Sequence, residues 1–232
     1  MTAIDRETLA QLELLRGCAQ ATIAEILATA RIQQYPAHAE IVREGEAADY
    51  LHVMLSGLVQ IVAHDGAHET TIAIIEPPGA FIMAAVYLDR AYLQAARTIE
   101  PTSVLLLNAE PIRRLTRTDI ALSNNVAREL AQAYRTVAQE LKNQKLRPGL
   151  QRLANWLLRR DVEVGGDGRF AIPFDKKVLA AKLGMAPEVL SRSFATLVKY
   201  DVVVSGRDVE IRDRTALVRL ARPSPLIDDP SV

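Results

Sequence analysis

The chain has 232 residues, 49% of them hydrophobic, and 28 basic against 28 acidic side chains. This length corresponds to one or two domains with a substantial core. No apolar run in the sequence reaches the length of a membrane span. A single cysteine, Cys18, excludes an internal disulfide, and the first residues lack the pattern of a signal peptide. Both observations predict a cytoplasmic protein.

Charge is unevenly divided along the chain. Residues 1–146 carry 13 basic and 17 acidic side chains, a net charge of −4, whereas residues 147–232 carry 15 and 11, a net charge of +4. The zero net charge of the whole chain is weak evidence against a polyanionic partner. The net positive charge of the C-terminal part, by contrast, favours such a partner for that part. We therefore expect only the C-terminal part to meet phosphate groups.

Many short β-rich segments follow two predicted amphipathic helices that lie between residues 5 and 30, with a break near Gly17. The clearest predicted strands are Tyr50 to Leu55, Leu58 to Val62, Thr70 to Ile75 and Ser103 to Leu107. Turn-forming segments such as Ser56–Gly57 separate them. Short strands at regular spacing predict a sandwich or jelly roll over residues 32–108.

A long helix is predicted from about Asp119 to Leu146. Its apolar residues keep the spacing of a coiled-coil seam, which we expect to join two copies of the chain in parallel. The predicted seam consists of Val126, Leu130, Ala133, Val137 and Leu141. The alternative is that the helix packs on its own β-domain, but so narrow a stripe offers little apolar surface for that. Arg147–Pro148–Gly149 should stop the helix and form a hinge.

Two helices joined by a tight turn are predicted near the C-terminus. Asp175 can cap the first helix, Gly184 permits the turn, and Pro187 suits the first position of the second helix. One stripe of the second helix is apolar and consists of Leu190, Phe194, Leu197 and Val198. The opposite stripe consists of Glu188, Ser191, Arg192, Ala195 and Lys199. A helix with an anchored back and a polar front is typical of a major-groove reader.

The polar front has the chemistry of base recognition. Arginine can bond guanine through O6 and N7, and glutamate can accept from cytosine N4. Glu188 and Arg192 are four residues apart, so they lie side by side, and the alternative is an ordinary surface ion pair. A hairpin then runs from Val202 to Ile211 around Ser205–Gly206–Arg207, as in the wing of a winged helix. The predicted DNA contacts are Glu188, Ser191, Arg192, Lys199, Lys177 and Arg207.

Three smaller predictions concern the rest of the C-terminal part. Trp156 is expected in the core. Asp161, with Glu163 and Asp167, is expected in a solvated loop. The proline-rich segment from Pro223 to Pro230 is expected to be mobile.

The segment from Phe174 to Ile211 resembles the DNA-binding domain of the CRP/FNR superfamily of bacterial transcription regulators. Residues 45–59 are similar to the β-roll signature of that superfamily, so the resemblance covers most of the chain. It implies an α+β fold in three parts. These are an effector-sensing β-roll of the cyclic-nucleotide-binding, jelly-roll type over residues 1–118, a dimerisation helix and hinge over 119–147, and a winged helix-turn-helix domain over 148–232.

The resemblance also implies a function. The Glu-x-x-Ser-Arg pattern that begins at Glu188 resembles the FNR branch, which reads TTGAT-type half-sites. The resemblance implies a homodimer that binds palindromic double-stranded DNA. It also implies that the protein acts as an activator, with RNA polymerase as a further partner. No hydrolase, P-loop or zinc-protease motif occurs, so we do not expect an enzyme. A scaffold domain that has lost DNA binding is the alternative.

The effector is not expected to be cyclic AMP. In cyclic-nucleotide-binding relatives a glutamate holds the ribose and an arginine holds the phosphate, and Ala84 and Gln94 stand at those positions. Neither side chain can offset the desolvation of a phosphodiester. Val137 and Ala138 stand where adenine would be met. An FNR-type iron–sulfur cluster is excluded because it needs four thiolates.

The former nucleotide site has an apolar predicted lining, which suits haem or an apolar aromatic ligand. The lining consists of Phe81, Ile82, Met83, Val86, Tyr87 and Val137. With the FNR-type reader, it resembles the nitric-oxide-responsive NnrR/DNR branch, which implies haem. The axial ligands would come from His38, His52, His64, His68 or Met83. Of these, His52 is expected to face outward, and a ligand-independent regulator of the same fold is the alternative.

Overall fold

The computed structural model describes residues 12–229. The chain divides into two compact units, Met1–Ala133 and Tyr134–Val232, called here the N-terminal and the C-terminal unit. Within the described residues, no helix is both long enough and apolar enough to cross a membrane.

The N-terminal unit is built on eight described strands. They are β1 Arg31–Tyr35, β2 Glu40–Val42, β3 Tyr50–Ser56, β4 Val59–Asp65, β5 His68–Ile75, β6 Gly79–Phe81, β7 Ala95–Thr98 and β8 Thr102–Asn108. They form two antiparallel four-stranded sheets, with the orders β1–β8–β3–β6 and β2–β7–β4–β5. The four clearest strand predictions are confirmed, because alternating apolar residues between turn residues are a local signal.

The turn between β3 and β4 shows why glycine is needed there. Gly57 has φ +90°, and a Cβ added to it would lie 2.5 Å from Oγ1 of Thr102 and 2.7 Å from the carbonyl oxygen of Pro101. A side chain would therefore collide with the neighbouring strand connection as well as strain the backbone. This glycine lets β3 reverse directly into β4.

From residue 12 onward, four helices belong wholly or partly to the N-terminal unit. They are α1 Gln20–Ala28, α2 Met83–Leu88, α3 Ala109–Leu115 and the first part of α4 Ile120–Leu146. Of the two helices expected between residues 5 and 30, α1 is one. The other is represented only by a single 3₁₀ turn, Glu13–Leu15, and its earlier part lies outside the described residues.

The start of α4 is fastened to the β-domain, which corrects the predicted seam. The carboxylate of Asp119 caps the helix by accepting from the amides of Ala121 and Leu122, at 3.0 and 3.1 Å. Leu122 and Val126 are buried in the core of the N-terminal unit. Val126 is therefore covered by its own chain, and the prediction that it faces a partner is wrong. The spacing of apolar residues along a helix does not show whether its own chain or a partner chain covers them.

Up to Asp229, the C-terminal unit contains the rest of α4, then five α-helices and three strands. They are α5 Gly149–Glu163, β9 Arg169–Ala171, α6 Lys176–Lys182, α7 Pro187–Leu197, β10 Val202–Ser205, β11 Asp208–Ile211, α8 Arg214–Ala221 and α9 Pro225–Asp228. The predicted hairpin is confirmed as β10 and β11, and β9 adds a third strand beside β11. Trp156 is buried on α5, as predicted.

Asp161 is not part of a solvated loop. Its side chain is fully buried, accepts from the amide of Gly168 at 2.8 Å and pairs with the guanidinium of Arg214. Glu163 and Asp167 are exposed, as predicted. The buried carboxylate is retained because both partners satisfy it. Over residues 12–229, no group of three His, Cys, Asp or Glu side chains could hold a metal ion.

Within the described residues, the proline-rich C-terminal segment is folded, which contradicts the expectation of a mobile tail. It forms α9, and the amine of Lys142 donates to the carbonyl of Leu226 at 3.1 Å. Asp228 accepts from the guanidinium of Arg147 and from the amide of Ser224. Arg147, the first residue of the predicted hinge, is buried. Pro230 lies outside the described residues.

Candidate nucleic-acid interface and effector site

The turn between α6 and α7 has the predicted geometry. Gly184 takes φ +60° after the end of α6, and Pro187 is the first residue of α7, where its missing N–H costs no hydrogen bond. Asp175 occupies the N-cap position of α6, but its carboxylate bonds none of the helix amides. Its backbone carbonyl begins the helix instead, by accepting from the amide of Leu179 at 3.1 Å. The predicted side-chain cap is therefore wrong.

The back of α7 is anchored in the core of its unit. Leu190, Phe194 and Leu197 are buried, as the apolar stripe predicts. Val198, assigned to the same stripe, is 58% exposed. The α-helix ends at Leu197, and the next three residues, beginning with Val198, form a 3₁₀ turn. Lys199 lies on the same 3₁₀ turn and is exposed.

The front of α7 presents three free polar side chains. Glu188, Ser191 and Arg192 are all exposed, and none of their side chains makes an ion pair or a hydrogen bond with another described residue. The surface ion pair considered as an alternative is therefore not formed. Glu188 and Arg192 are separated by about 6 Å along the helix axis, at 1.5 Å per residue. Their charged groups are available to a partner that fits this spacing.

Basic side chains flank this front. Lys177 is exposed in the first turn of α6, and Arg207 lies at the wing turn, where its Nε donates to the carbonyl of Ile172 at 2.7 Å. Lys176 was not identified from the sequence. Its amine lies 5.2 Å from the ring of Phe194, over a cavity of about 330 Å³ between α6 and α7. Its position in the first turn of a helix, beside Lys177, was the signal that could have identified it.

Part of the predicted effector lining lies in the core of the N-terminal unit. Phe81, Met83 and Val86 are core residues of that unit and are covered by their own chain, and their assignment as effector lining stays a prediction. They are covered because β6 pairs with β3 and places Phe81 inward, and Met83 and Val86 follow on the inner side of α2. Ile82 is partly buried against the same core, and Tyr87 is exposed.

Val137 does not belong to that core. It lies on α4 within the C-terminal unit and is 63% exposed. From the sequence, it was expected both in the effector lining and in the dimer seam. Its exposure leaves an apolar side chain available to a partner.

The histidines differ sharply in environment. His52 on β3 is 5% exposed, and its Nδ1 has no hydrogen-bond partner among the described residues. Burial lowers the pKa of His52 to about 4, so the ring is neutral at pH 7. The centroid of its ring lies 5.3 Å from the ring centroid of Phe81 and 6.2 Å from that of Tyr92. The expectation that His52 faces outward is therefore wrong, because β3 is covered on both sides.

The other histidines lie at the surface. His38 and His68 are exposed, and His64 lies between the carboxylates of Glu44 and Glu69, at 3.3 and 3.2 Å. These three histidines do not converge on the core around His52, so they supply no second ligand there.

The positions that hold cyclic nucleotides in relatives remain uncharged in the folded chain. Ala84 is exposed on α2, and Gln94 is half-buried just before β7. The next cation along the chain, Arg97, is held by both carboxylate oxygens of Glu69, at 3.2 and 3.0 Å. A phosphate at this site would have to compete with Glu69 for that guanidinium.

Comparison with known proteins identifies the family. Residues 32–119 match the cyclic nucleotide-binding domain, and residues 151–220 match the Crp-like helix-turn-helix domain. The chain belongs to the CRP/FNR family of transcription regulators. It is a DNA-binding regulator with a ligand-binding domain, and not an enzyme. The predicted α+β architecture, with β-domain, long helix and helix-turn-helix, is confirmed.

Individual relatives are distant but extend over most of the chain. A CRP-like cAMP-activated global transcriptional regulator from Mycobacterium tuberculosis is 24% identical over 93% of this chain and 99% of its own. FixK2 from Bradyrhizobium japonicum has a TM-score of 0.74 at 22% identity, covering 84% of this chain and 99% of its own. A putative cAMP-binding regulatory protein from Silicibacter pomeroyi has a TM-score of 0.61 at 25% identity, covering 90% and 94%.

Proposed function

We propose that this regulator is a homodimer that reads a palindromic site with TTGAT-type half-sites, and that its β-domain responds to a small effector other than cyclic AMP. One observation carries the DNA part of the proposal. Glu188, Ser191 and Arg192 are exposed and unpaired on a helix whose opposite side is buried in the core. A rigid helix with free charged groups near its N-terminus is suited to the major groove.

The two charged groups suit one G·C pair and its neighbour. The fork of Arg192 can donate to O6 and N7 of guanine, and Glu188 can accept from the amino group of a cytosine or an adenine. Because the two side chains are one helical turn apart, they address adjacent base pairs. Lys176, Lys177 and Arg207 would hold the flanking phosphates and orient the helix.

Apolar side chains on α4 support the dimer. Val126 is removed from the seam by burial, but Ala133, Val137 and Leu141 remain exposed, and Leu130 is half-buried. Tyr134 is also exposed beside them. An exposed apolar stripe at coiled-coil spacing is stabilised by an identical stripe across a two-fold axis. A two-fold dimer in turn requires a palindromic target, with half-sites about one turn of DNA apart.

Fluorescence anisotropy with two duplexes tests the DNA proposal. One duplex carries a TTGAT/ATCAA palindrome, and the other carries the same palindrome with both G·C pairs replaced by A·T. We expect the first to bind more tightly by at least about tenfold at physiological salt, because each base-specific contact is worth about 1–3 kcal/mol. Equal affinities would reject sequence reading and favour the scaffold alternative.

The residues argue against cyclic AMP, although the names of two similar proteins refer to it. Ala84 and Gln94 provide no charge, and Arg97 is engaged by Glu69. Calorimetry with cyclic AMP tests this point directly. We expect no heat of binding up to millimolar nucleotide, and micromolar binding would overturn the proposal.

Haem, with a nitric oxide response as in the NnrR/DNR branch, is the second candidate effector. The unpartnered Nδ1 of neutral His52 favours it, since a neutral imidazole nitrogen is a common iron ligand. The surrounding side chains do not fit it, because Phe81, Met83 and Val86 fill the adjacent core. An absorption spectrum of the protein after incubation with haem tests whether haem binds. A Soret shift abolished in His52→Ala would establish haem, and the free-haem spectrum would leave another apolar ligand or a ligand-independent regulator.

We also propose that the regulator acts in the cytoplasm and activates transcription through contact with RNA polymerase. The proposal includes three parts. They are a β-roll up to residue 118, a dimerisation helix and hinge up to residue 147, and a DNA-binding domain after it. Run-off transcription from a template with the palindrome upstream of a promoter tests the sign. More transcript with the protein present would support an activator, and less would indicate a repressor.

A further inference from the structure

A basic cleft in the C-terminal unit shares only Lys199 with the predicted DNA contacts. It has a volume of about 540 Å³ and lies between the first turn of α5, the 3₁₀ turn after α7, and α8. Its polar lining consists of Gln151, Lys199, Tyr200, Arg219 and Arg222. None of the lining residues is acidic. The cleft therefore collects positive charge without a compensating carboxylate.

The three cations of the cleft have no side-chain partner in the described part of the protein. Lys199, Arg219 and Arg222 are exposed, and none of their side chains forms an ion pair or a hydrogen bond with another described residue. Other arginines of the same unit behave differently. Arg147 pairs with Asp228 and Arg212 with Glu210. Three like charges around one cleft repel one another, and an anion between them relieves that repulsion.

The N-terminus of α5 adds a partial positive charge to the cleft. α5 is a 15-residue helix whose N-cap, Pro148, provides no side-chain hydrogen bond, and Pro148 and Leu150 line the cleft. The positive end of the helix dipole thus faces the same space as the cations. The side-chain amide nitrogen of Gln151 is already used, since it donates to the carbonyl of Ala221 at 2.8 Å.

We propose that this cleft binds a phosphate group through Lys199, Arg219 and Arg222. The two guanidinium groups can each form paired hydrogen bonds with phosphate oxygens, and the lysine adds a point charge. The phosphate has two sources, the backbone of DNA beside the recognition site and a free polyphosphate. Only the first source rests on the proposed function.

The double variant Arg219→Gln/Arg222→Gln tests the site in the full-length protein. Both side chains are exposed, so the fold is retained. The matched control is Arg90→Gln/Arg117→Gln, which removes the same charge from two exposed arginines of the N-terminal unit. One measurement is calorimetry with inorganic tripolyphosphate. The other is the salt dependence of binding to a random-sequence duplex.

Each source predicts a different result. If the cleft holds DNA backbone, the slope of log K against log salt falls by about 0.9 for each phosphate that is no longer neutralised, and only in the cleft variant. If it holds a free polyphosphate, tripolyphosphate binds the control and binds the cleft variant at least about tenfold more weakly. If neither measurement separates the cleft variant from the control, the phosphate site is refuted. A failure of sequence reading would be seen separately, as equal binding of wild type to palindrome and random duplex.

Discussion

The guanidinium of Arg147 and the carboxylate of Asp228 form a buried ion pair joined by two hydrogen bonds, of 2.7 and 2.6 Å. The pair ties the short helix α9 to the residue that follows α4. Burial by itself would raise the pKa of Asp228, but the hydrogen bonds from Arg147 and the Ser224 amide outweigh it and hold this pKa below its ordinary value. The C-terminal segment is thereby a structural part of the DNA-binding unit.

Asp228→Asn should destabilise the C-terminal unit. The substitution leaves the guanidinium of Arg147 buried without its counter-charge, and breaking a buried pair in this way costs about 3–5 kcal/mol. Urea unfolding measured at pH 7 gives the difference. Asp208→Asn, an exposed change on the wing, is the matched control and should alter the free energy of unfolding by less than about 0.5 kcal/mol. Equal effects of the two substitutions would show that the pair contributes no stability.

The same pair predicts loss of stability in acid. The pKa of Asp228 is lower in the folded chain than in the unfolded one, so its contribution is complete above the unfolded pKa, about 3.9, and is lost as the pH falls through the folded pKa. The stability difference between wild type and Asp228→Asn should therefore be constant from pH 7 to about pH 5 and shrink below about pH 4. A difference that stays constant down to about pH 3 would contradict this assignment.

Because of His52, we expect stability to depend on pH in a second, higher pH range as well. Its pKa is about 4 in the folded chain because of burial, against about 6.5 when unfolded. Protonation therefore favours the unfolded state, and stability should fall as the pH drops from about 6.5 to 4, by up to about 1.4 kcal/mol per pH unit. His52→Leu keeps a side chain of similar size and should remove this slope. The free energy of unfolding of both proteins across this range is the measurement, and parallel curves would disprove the assignment.

Arg192→Ala should relax sequence preference while leaving non-specific binding nearly unchanged. Loss of the guanine contact should cost about 1–3 kcal/mol for each half-site, measured by anisotropy on the palindrome and on its A·T-substituted form. Lys177→Ala is the comparison, because removing a phosphate contact weakens binding to all sequences alike and lowers the salt slope. If Arg192→Ala weakens binding to palindromic and to random DNA equally, Arg192 does not read a base.

Val137→Asp should produce monomers. In the proposed dimer it would bring two carboxylates together near the two-fold axis, at a cost of several kcal/mol. Sedimentation velocity gives the mass, and binding to the palindrome should fall with it. Asn124→Asp adds the same charge at an exposed position of α4 and should leave the mass unchanged. If Val137→Asp remains dimeric, the interface lies elsewhere.

Local patterns in the sequence determined the elements and the character of their faces. Strands such as Tyr50–Ser56 and the helix Pro187–Leu197 follow from residue periodicity and from glycine and proline at the turns. The free polar front of α7 could be foreseen for the same reason. A helix with Leu190, Phe194 and Leu197 on one side must turn Glu188 and Arg192 toward solvent.

Only the tertiary structure decided what covers each apolar face and which distant charges meet. Val126 and Val137 belong to one stripe by spacing, yet the first is buried in its own unit and the second is exposed. Arg147 and Asp228 are 81 residues apart in sequence, yet they form a buried ion pair. Periodicity identifies an apolar or charged side chain, but its partner depends on long-range packing, which no local window of sequence contains.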